Sequence, residues 1–139
     1  MTPDPQWQCE RACVRLCHDF AWTVDACDYD AFVQLFSTDG AFVRAGQRQV
    51  GHASIRAFLD ARPADRITRH ICTNIRVDMT SPTTATGTCS TLMFLANAPR
   101  DTPLPVPVSP PVVVDYQDDY VLTGEGWRFK SRTVQIVFQ

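Results

Sequence analysis

Residues 67–77 constrain this chain more than any other stretch. They read Ile-Thr-Arg-His-Ile-Cys-Thr-Asn-Ile-Arg-Val, rich in β-branched residues and alternating in character. That pattern predicts a strand. On it Ile67, Ile71, Ile75 and Val77 share one face, and Thr68, His70, Cys72, Asn74 and Arg76 share the other. A strand with one apolar and one hydrogen-bonding face suits the wall of a cavity, provided its buried polar groups find partners. His70, flanked on its own face by Thr68, Cys72 and Asn74, is either a held acid/base or a structural residue satisfied within the sheet.

Upstream the period changes. From about Gln6 to Val24, apolar residues recur at helical spacing: Trp7, Cys9, Cys13, Leu16, Cys17, Phe20 and Val24. Cys9, Cys13 and Cys17 form one stripe that continues through Phe20 and Val24, so they read as small hydrophobes on a buried face rather than as metal ligands. One helix holds such thiols in a poor geometry for a disulfide, and free thiols in a reducing compartment are expected. Residues 28–36 predict a second, shorter helix, with Asp28 as its N-cap and Asp30 solvated in its first turn. Residues 37–40 predict a turn ending on a left-handed Gly40.

A strand over 41–45, a turn at Gly46-Gln47, a return strand over 48–50 and a helix through Ile55, Phe58 and Leu59 follow. His52 lies at the entrance of that helix and reads as exposed. A Ser81-Pro82 turn leads to a strand over 83–96, nearly all Thr, Ala, Ser and Gly in its first half. Residues 97–111 hold six prolines and predict a loop or extended arm, of the kind that serves as a lid, a dimer arm or a disordered tip. Strands over 112–122 and 127–138 close the chain as a hairpin. Helices gathered early and strands late predict a single α+β domain over 1–139: a curved, mostly antiparallel sheet wrapped around helix one to leave a conical cavity.

Fifteen acids against thirteen bases give a net charge of -2, with no basic cluster, so neither nucleic acid nor an anionic membrane is an expected partner. No apolar run is long enough for a membrane span, and the first residues lack a secretory pattern, which predicts a cytoplasmic location. With three histidines and no His/Asp/Glu cluster at ligand spacing, no metal or other cofactor is expected.

Several segments together resemble the SnoaL-like branch of the nuclear transport factor 2-like superfamily. They are Val24-Asp-Ala-Cys-Asp-Tyr-Asp-Ala-Phe-Val-Gln-Leu-Phe36, Asp39-Gly-Ala-Phe42, Gly51-His-Ala-Ser-Ile-Arg-Ala-Phe58, Thr68-Arg-His-Ile-Cys-Thr-Asn74, Tyr116-Gln-Asp-Asp-Tyr-Val121 and Gly126-Trp-Arg-Phe129. The resemblance runs in order along nearly the whole chain and implies a cone-shaped α+β barrel with three N-terminal helices. Its members include scytalone dehydratase, polyketide cyclases, steroid isomerases, limonene epoxide hydrolase and bile-acid dehydratases. The β subunits of ring-hydroxylating dioxygenases share the fold in structural roles. The dehydratases pair an Asp at the end of helix one with a His on a central strand, and the resemblance places Asp25 and His70 there. Val24 stands where scytalone dehydratase has a tyrosine, and residues 85–90 offer no second histidine. A full scytalone-type site is therefore absent, as is the Asp–Arg–Asp arrangement of an epoxide hydrolase.

An Asp–His pair in an apolar pocket is a competent general acid/base. Asp25 at a helix C-terminus sits against the helix dipole and so calls for a partner. Two functions are expected. One is a cofactor-independent lyase or isomerase of dehydratase or cyclase type, acting on a hydrophobic cyclic carbonyl or polyketide-like small molecule. Asp25 and His70 would be catalytic, and Trp22, Tyr29, Phe42, Cys72, Asn74, Thr88, Met93 and Trp127 would contact substrate. The other is a non-catalytic ligand-binding or assembly subunit, in which the same pair only ties helix to sheet. By resemblance, the chain is expected to pair as a homodimer through the open face of the sheet.

Overall fold

A computed structural model of the protein describes residues 2–139. Helix α1 runs Pro5–Asp25; the Asp4 carboxylate caps it by accepting from the Gln6 N–H at 3.3 Å, and Pro5 occupies its first turn, where no N–H is required. Its buried face is the cysteine stripe with Leu16, Phe20 and Val24. The Gln6 side chain pins the start of α1 to the sheet, donating to the Val77 carbonyl at 3.3 Å and accepting from the Met79 N–H at 3.0 Å.

Helix α2 spans only Tyr29–Val33, capped by Asp28. The expected helix to residue 36 stops short because Phe36 enters strand β1 (Phe36–Arg44), where it pairs with Phe129 and is almost fully buried. Strand pairing and core burial outweigh the local helical spacing. The expected turn at 37–40 is likewise part of β1. Gly40 is not left-handed; it is needed because a Cβ there would lie 2.9 Å from the Ser37 carbonyl and 3.0 Å from that of Phe129. Ala45 and Gly46, both at positive φ, turn the chain into β2 (Gln47–Val50). Helix α3 follows (His52–Asp60), then β3 (Arg66–Ser81), β4 (Thr84–Asn97), β5 (Val112–Thr123) and β6 (Gly126–Phe138).

The six strands form one mixed sheet in the order β2-β1-β6-β5-β4-β3, antiparallel except where β1 meets β6. It is not closed into a barrel. Register shifts in β3, β5 and β6 bend it around α1. The shift in β3 falls at Asn74, whose φ is 53°, and it reverses which face of the strand points inward. Before it, Thr68 is buried and His70 and Cys72 are half-buried, while Ile71 is 53% exposed. After it, Val77 is buried and Ile75 half-buried. The expectation that Ile67, Ile71, Ile75 and Val77 share one face is thus corrected: a bulge residue changes the phase of the alternation.

The core is aromatic. Phe20 packs against Phe32, Phe42, Phe129 and Tyr116, with ring centroids 4.7 to 6.2 Å apart. Among these rings lies the wholly buried guanidinium of Arg132, 3.8 Å from the centroid of Tyr116. It donates to Asp118 from Nε at 2.9 Å and from Nη2 at 3.3 Å. No helix of the described residues is long and apolar enough to cross a membrane.

Candidate active site

The end of α1 and the inward face of β3 meet at Asp25. Its Oδ1 accepts from the Thr68 hydroxyl at 2.8 Å and from His70 Nδ1 at 2.6 Å, and its Oδ2 accepts from the His70 N–H at 2.8 Å. Three donors on one carboxylate answer its unfavourable place at a helix C-terminus. A carboxylate can only accept, so Nδ1 donates to Asp25, and in the neutral ring Nε2 is the nitrogen that carries the lone pair. Both side chains are largely shielded, His70 at 9% exposure and Asp25 at 13%.

His70 lines a cavity of about 290 Å³ between the helices and the sheet. Its walls are mainly apolar, with Phe20, Phe42, Phe58, Met93, Val114 and Ile136 among them. Thr68 and three arginines, Arg44, Arg62 and Arg66, also face it. Arg62 braces the dyad: it donates to the Val24 carbonyl at 3.3 Å, to the Tyr29 hydroxyl at 2.8 Å and, at 3.5 Å, to the same Thr68 hydroxyl that serves Asp25. Burial pushes the Tyr29 hydroxyl up from its ordinary pKa, as does its bond to Cys27, so it stays a neutral donor to that sulfur.

The residues singled out from the sequence divide by place. Asp25 and His70 are brought together, with Phe42 and Met93 on the cavity wall. Tyr29 stands behind the wall as the partner of Arg62. Trp22 is 77% exposed and borders a separate outer cleft with Asp25, Ile67, Arg69, Arg100 and Leu104. Trp127 is buried in the core rather than on the cavity. Asn74 is exposed at its bulge, and Thr88 lies in a polar groove of the sheet with Arg76, Gln117 and Thr133. Alternation alone could not separate these faces, since the bulge and the sheet curvature decide them. His52 is half-buried, its Nε2 2.8 Å from the Phe36 carbonyl.

Cys72 points at α1 and lies against the Cys17 carbonyl and the Thr91 hydroxyl. Hydrogen bonding from Cys89 lowers its pKa to about 6, against the opposing effect of burial and with help from Thr91 and the Arg132 charge. Among the described residues, Cys17, Cys89 and Asp118 bring ligand-type atoms within 4.8 Å of one another. The Arg132 guanidinium already fills that space, with Nη2 3.5 Å from Cys17 Sγ and 3.1 Å from Cys89 Sγ, so the cluster holds an internal cation. The sequence carried one signal for the residues it left unassigned, an arginine preceding a proline just after α3, Arg62. No local pattern set Arg132 or Asp118 apart from the other charged residues of their strands.

A model of the SnoaL-like domain matches residues 7–133. Among solved structures, a candidate aromatic ring hydroxylase from Novosphingobium aromaticivorans is 24% identical, with a TM-score of 0.80 over 100% of this chain and 94% of that one. A candidate scytalone dehydratase from the same organism is 22% identical, with a TM-score of 0.78 over 92% and 83% of the two chains. The hexachlorocyclohexane dehydrochlorinase LinA-type3 of Novosphingobium barchaimii LL02 is 17% identical, with a TM-score of 0.77 over 93% and 87%. At these identities the likeness concerns the fold alone. No curated protein matches the chain.

Proposed function

We propose that this protein, which belongs to the SnoaL-like domain family, is a cofactor-independent lyase or isomerase acting on a hydrophobic cyclic carbonyl compound. The observation that carries the reading is the contact between His70 Nδ1 and Asp25, with the ring facing an apolar cavity. In this reading Nε2 removes a proton from the carbon next to the carbonyl. The electron pair forms the new C=C bond, either as an enolate (a dienolate where the substrate carries a neighbouring C=C) or with departure of a β-hydroxyl. The imidazolium, held by Asp25, then returns its proton to the far carbon of the dienolate, completing an isomerisation, or to the leaving hydroxyl, giving water. Solved structures of similar fold described as a candidate scytalone dehydratase and as a dehydrochlorinase support elimination chemistry on this scaffold.

The test is proton exchange in D2O. Cyclic ketones and β-hydroxy ketones are incubated with the protein and followed by NMR for loss of the α-proton signal or for elimination. Turnover by the wild type that falls roughly 10²- to 10⁴-fold in His70→Ala supports the reading. Exchange that survives in His70→Ala, or is absent from the wild type across the series, sinks it.

A second reading, a non-catalytic binding or assembly subunit, draws on the same geometry, because three hydrogen bonds through Asp25 also tie α1 to β3. It predicts that His70→Ala lowers stability with no catalytic activity to lose.

A further inference from the structure

The mouth of the cavity differs in character from its walls. Arg44, Arg62 and Arg66 all line the cavity, Arg44 exposed and the other two half-buried. They come from β1, from the turn after α3 and from the first residue of β3. None of them ion-pairs with a carboxylate among the described residues, whose pairs are Arg15–Asp19, Arg56–Asp30, Arg56–Asp60, His70–Asp25, Arg128–Glu125 and Arg132–Asp118. Arg62 is committed inward, linked through Thr68 to Asp25. The other two have no such link. Arg66 Nε is buried and has no hydrogen-bond partner, and Arg44 is exposed on the rim.

A guanidinium whose terminal N–H groups have no protein partner beside an apolar cavity is unsatisfied there, and a bound oxyanion can accept from those groups. The positive mouth also runs against the net charge of the chain, which is -2. Of the acids near it, Asp25 is held by the dyad and Asp60 by Arg56, and Asp65, next to Arg66 in the chain, makes no ion pair with any of the three arginines.

We infer that the ligand of this cavity is an amphipathic anion. Its carboxylate, sulfonate or phosphate sits at the mouth on Arg44 and Arg66, and its hydrophobic body lies against Phe42, Met93 and Val114 toward His70. The inference rests on the reading of the cavity as a small-molecule site and names the class of molecule it takes. It also assigns orientation: with its charge anchored at the mouth, the ligand's apolar end is the part presented to the imidazole.

Two fluorescent probes that share a ring system separate charge from hydrophobicity. Anilinonaphthalenesulfonate is the anion, and phenylnaphthylamine is the same skeleton without the sulfonate. Each is titrated against wild type, against the double variant Arg44→Gln/Arg66→Gln and against the charge-preserving Arg44→Lys/Arg66→Lys, with melting curves to confirm the fold. The wild type should prefer the sulfonate. The glutamine variant should lose about tenfold in sulfonate affinity while binding the neutral dye unchanged. The lysine variant should keep the preference, and raising salt from about 0.05 to about 0.5 M should weaken only the sulfonate. Equal affinity for the two dyes in the wild type, or equal losses for both in the glutamine variant, overturns the inference and leaves the cavity reading standing. If the wild type binds neither dye, both fall.

Discussion

Asp25 shows how one carboxylate serves two purposes. Its three donors hold it at a helix end where the dipole opposes it, and the same bonds fix the tautomer and orientation of His70. Thr68→Val keeps the shape of a residue that is 3% exposed but removes one donor from a charged acceptor. Urea denaturation should register a loss of about 1.5–3 kcal/mol, and an unchanged midpoint would show that the hydroxyl contributes nothing. Cys72 offers a pH-dependent prediction. Its folded pKa lies near 6, below the ordinary thiol value of 9.0, so the folded state favours the thiolate. The stability this contributes is present above the unfolded value and is lost as pH falls through about 6. Alkylation of Cys72 by iodoacetamide should therefore rise with a midpoint near pH 6, whereas Cys13, whose thiol burial pushes far up, stays unmodified in the folded protein. Peptide mapping after alkylation at stepped pH reads both; a Cys72 midpoint near that of an ordinary thiol contradicts the geometry.

At the scale of the element, β3 turns on Asn74. Its left-handed backbone inserts the extra residue that points Thr68, His70 and Cys72 inward above it and Ile75 and Val77 inward below. Asn tolerates that conformation, glycine adopts it freely, and a β-branched residue does not. Asn74→Gly should fold with little change, and Asn74→Val should cost about 1–2 kcal/mol in urea denaturation. Equal stability of the two variants would mean that the bulge relaxes without cost. The same strand shows where sequence reasoning stops. Alternation located β3 and its polar stretch. It could not reveal the change of phase, because a single Asn in a β-rich run carries no local mark of positive φ. For the same reason Asn74 reads as a cavity residue in sequence and stands exposed in the structure.

For the molecule as a whole, the buried Arg132–Asp118 pair is the least expected element of the core. It joins β5 to β6, and through the Cys17 and Cys89 thiols it reaches α1 and β4. Burial, the largest single effect, disfavours the charged guanidinium, but Asp118 together with Cys17, Tyr116 and Cys89 around it outweighs burial and raises the pKa of Arg132 above the ordinary value. Arg132→Met strands a buried carboxylate and should cost about 3–5 kcal/mol, whereas Arg132→Met with Asp118→Leu should recover much of that. Guanidinium denaturation of the two variants decides it. If the double variant is no more stable than the single, the pair is not the source of the loss. Nothing local announced the pair, since an arginine in an alternating strand reads as a solvated face until the curvature of the sheet encloses it.

The sequence alone determined the helical stripe from Cys9 to Val24, the strand-rich second half and the α+β class, all written in short-range periodicity. The pairing of Asp25 with His70 was implied by the family resemblance, with the carboxylate at the wrong end of a helix as a local mismatch in its support. Only the tertiary structure decided which residues face the cavity. That depends on the bulge at Asn74, on the parallel pairing of β1 with β6 that ends α2 early, and on the curvature that brings Arg44, Arg62 and Arg66 to one cavity. Each of these arises between residues far apart in the chain, where burial and pairing energies exceed any local preference.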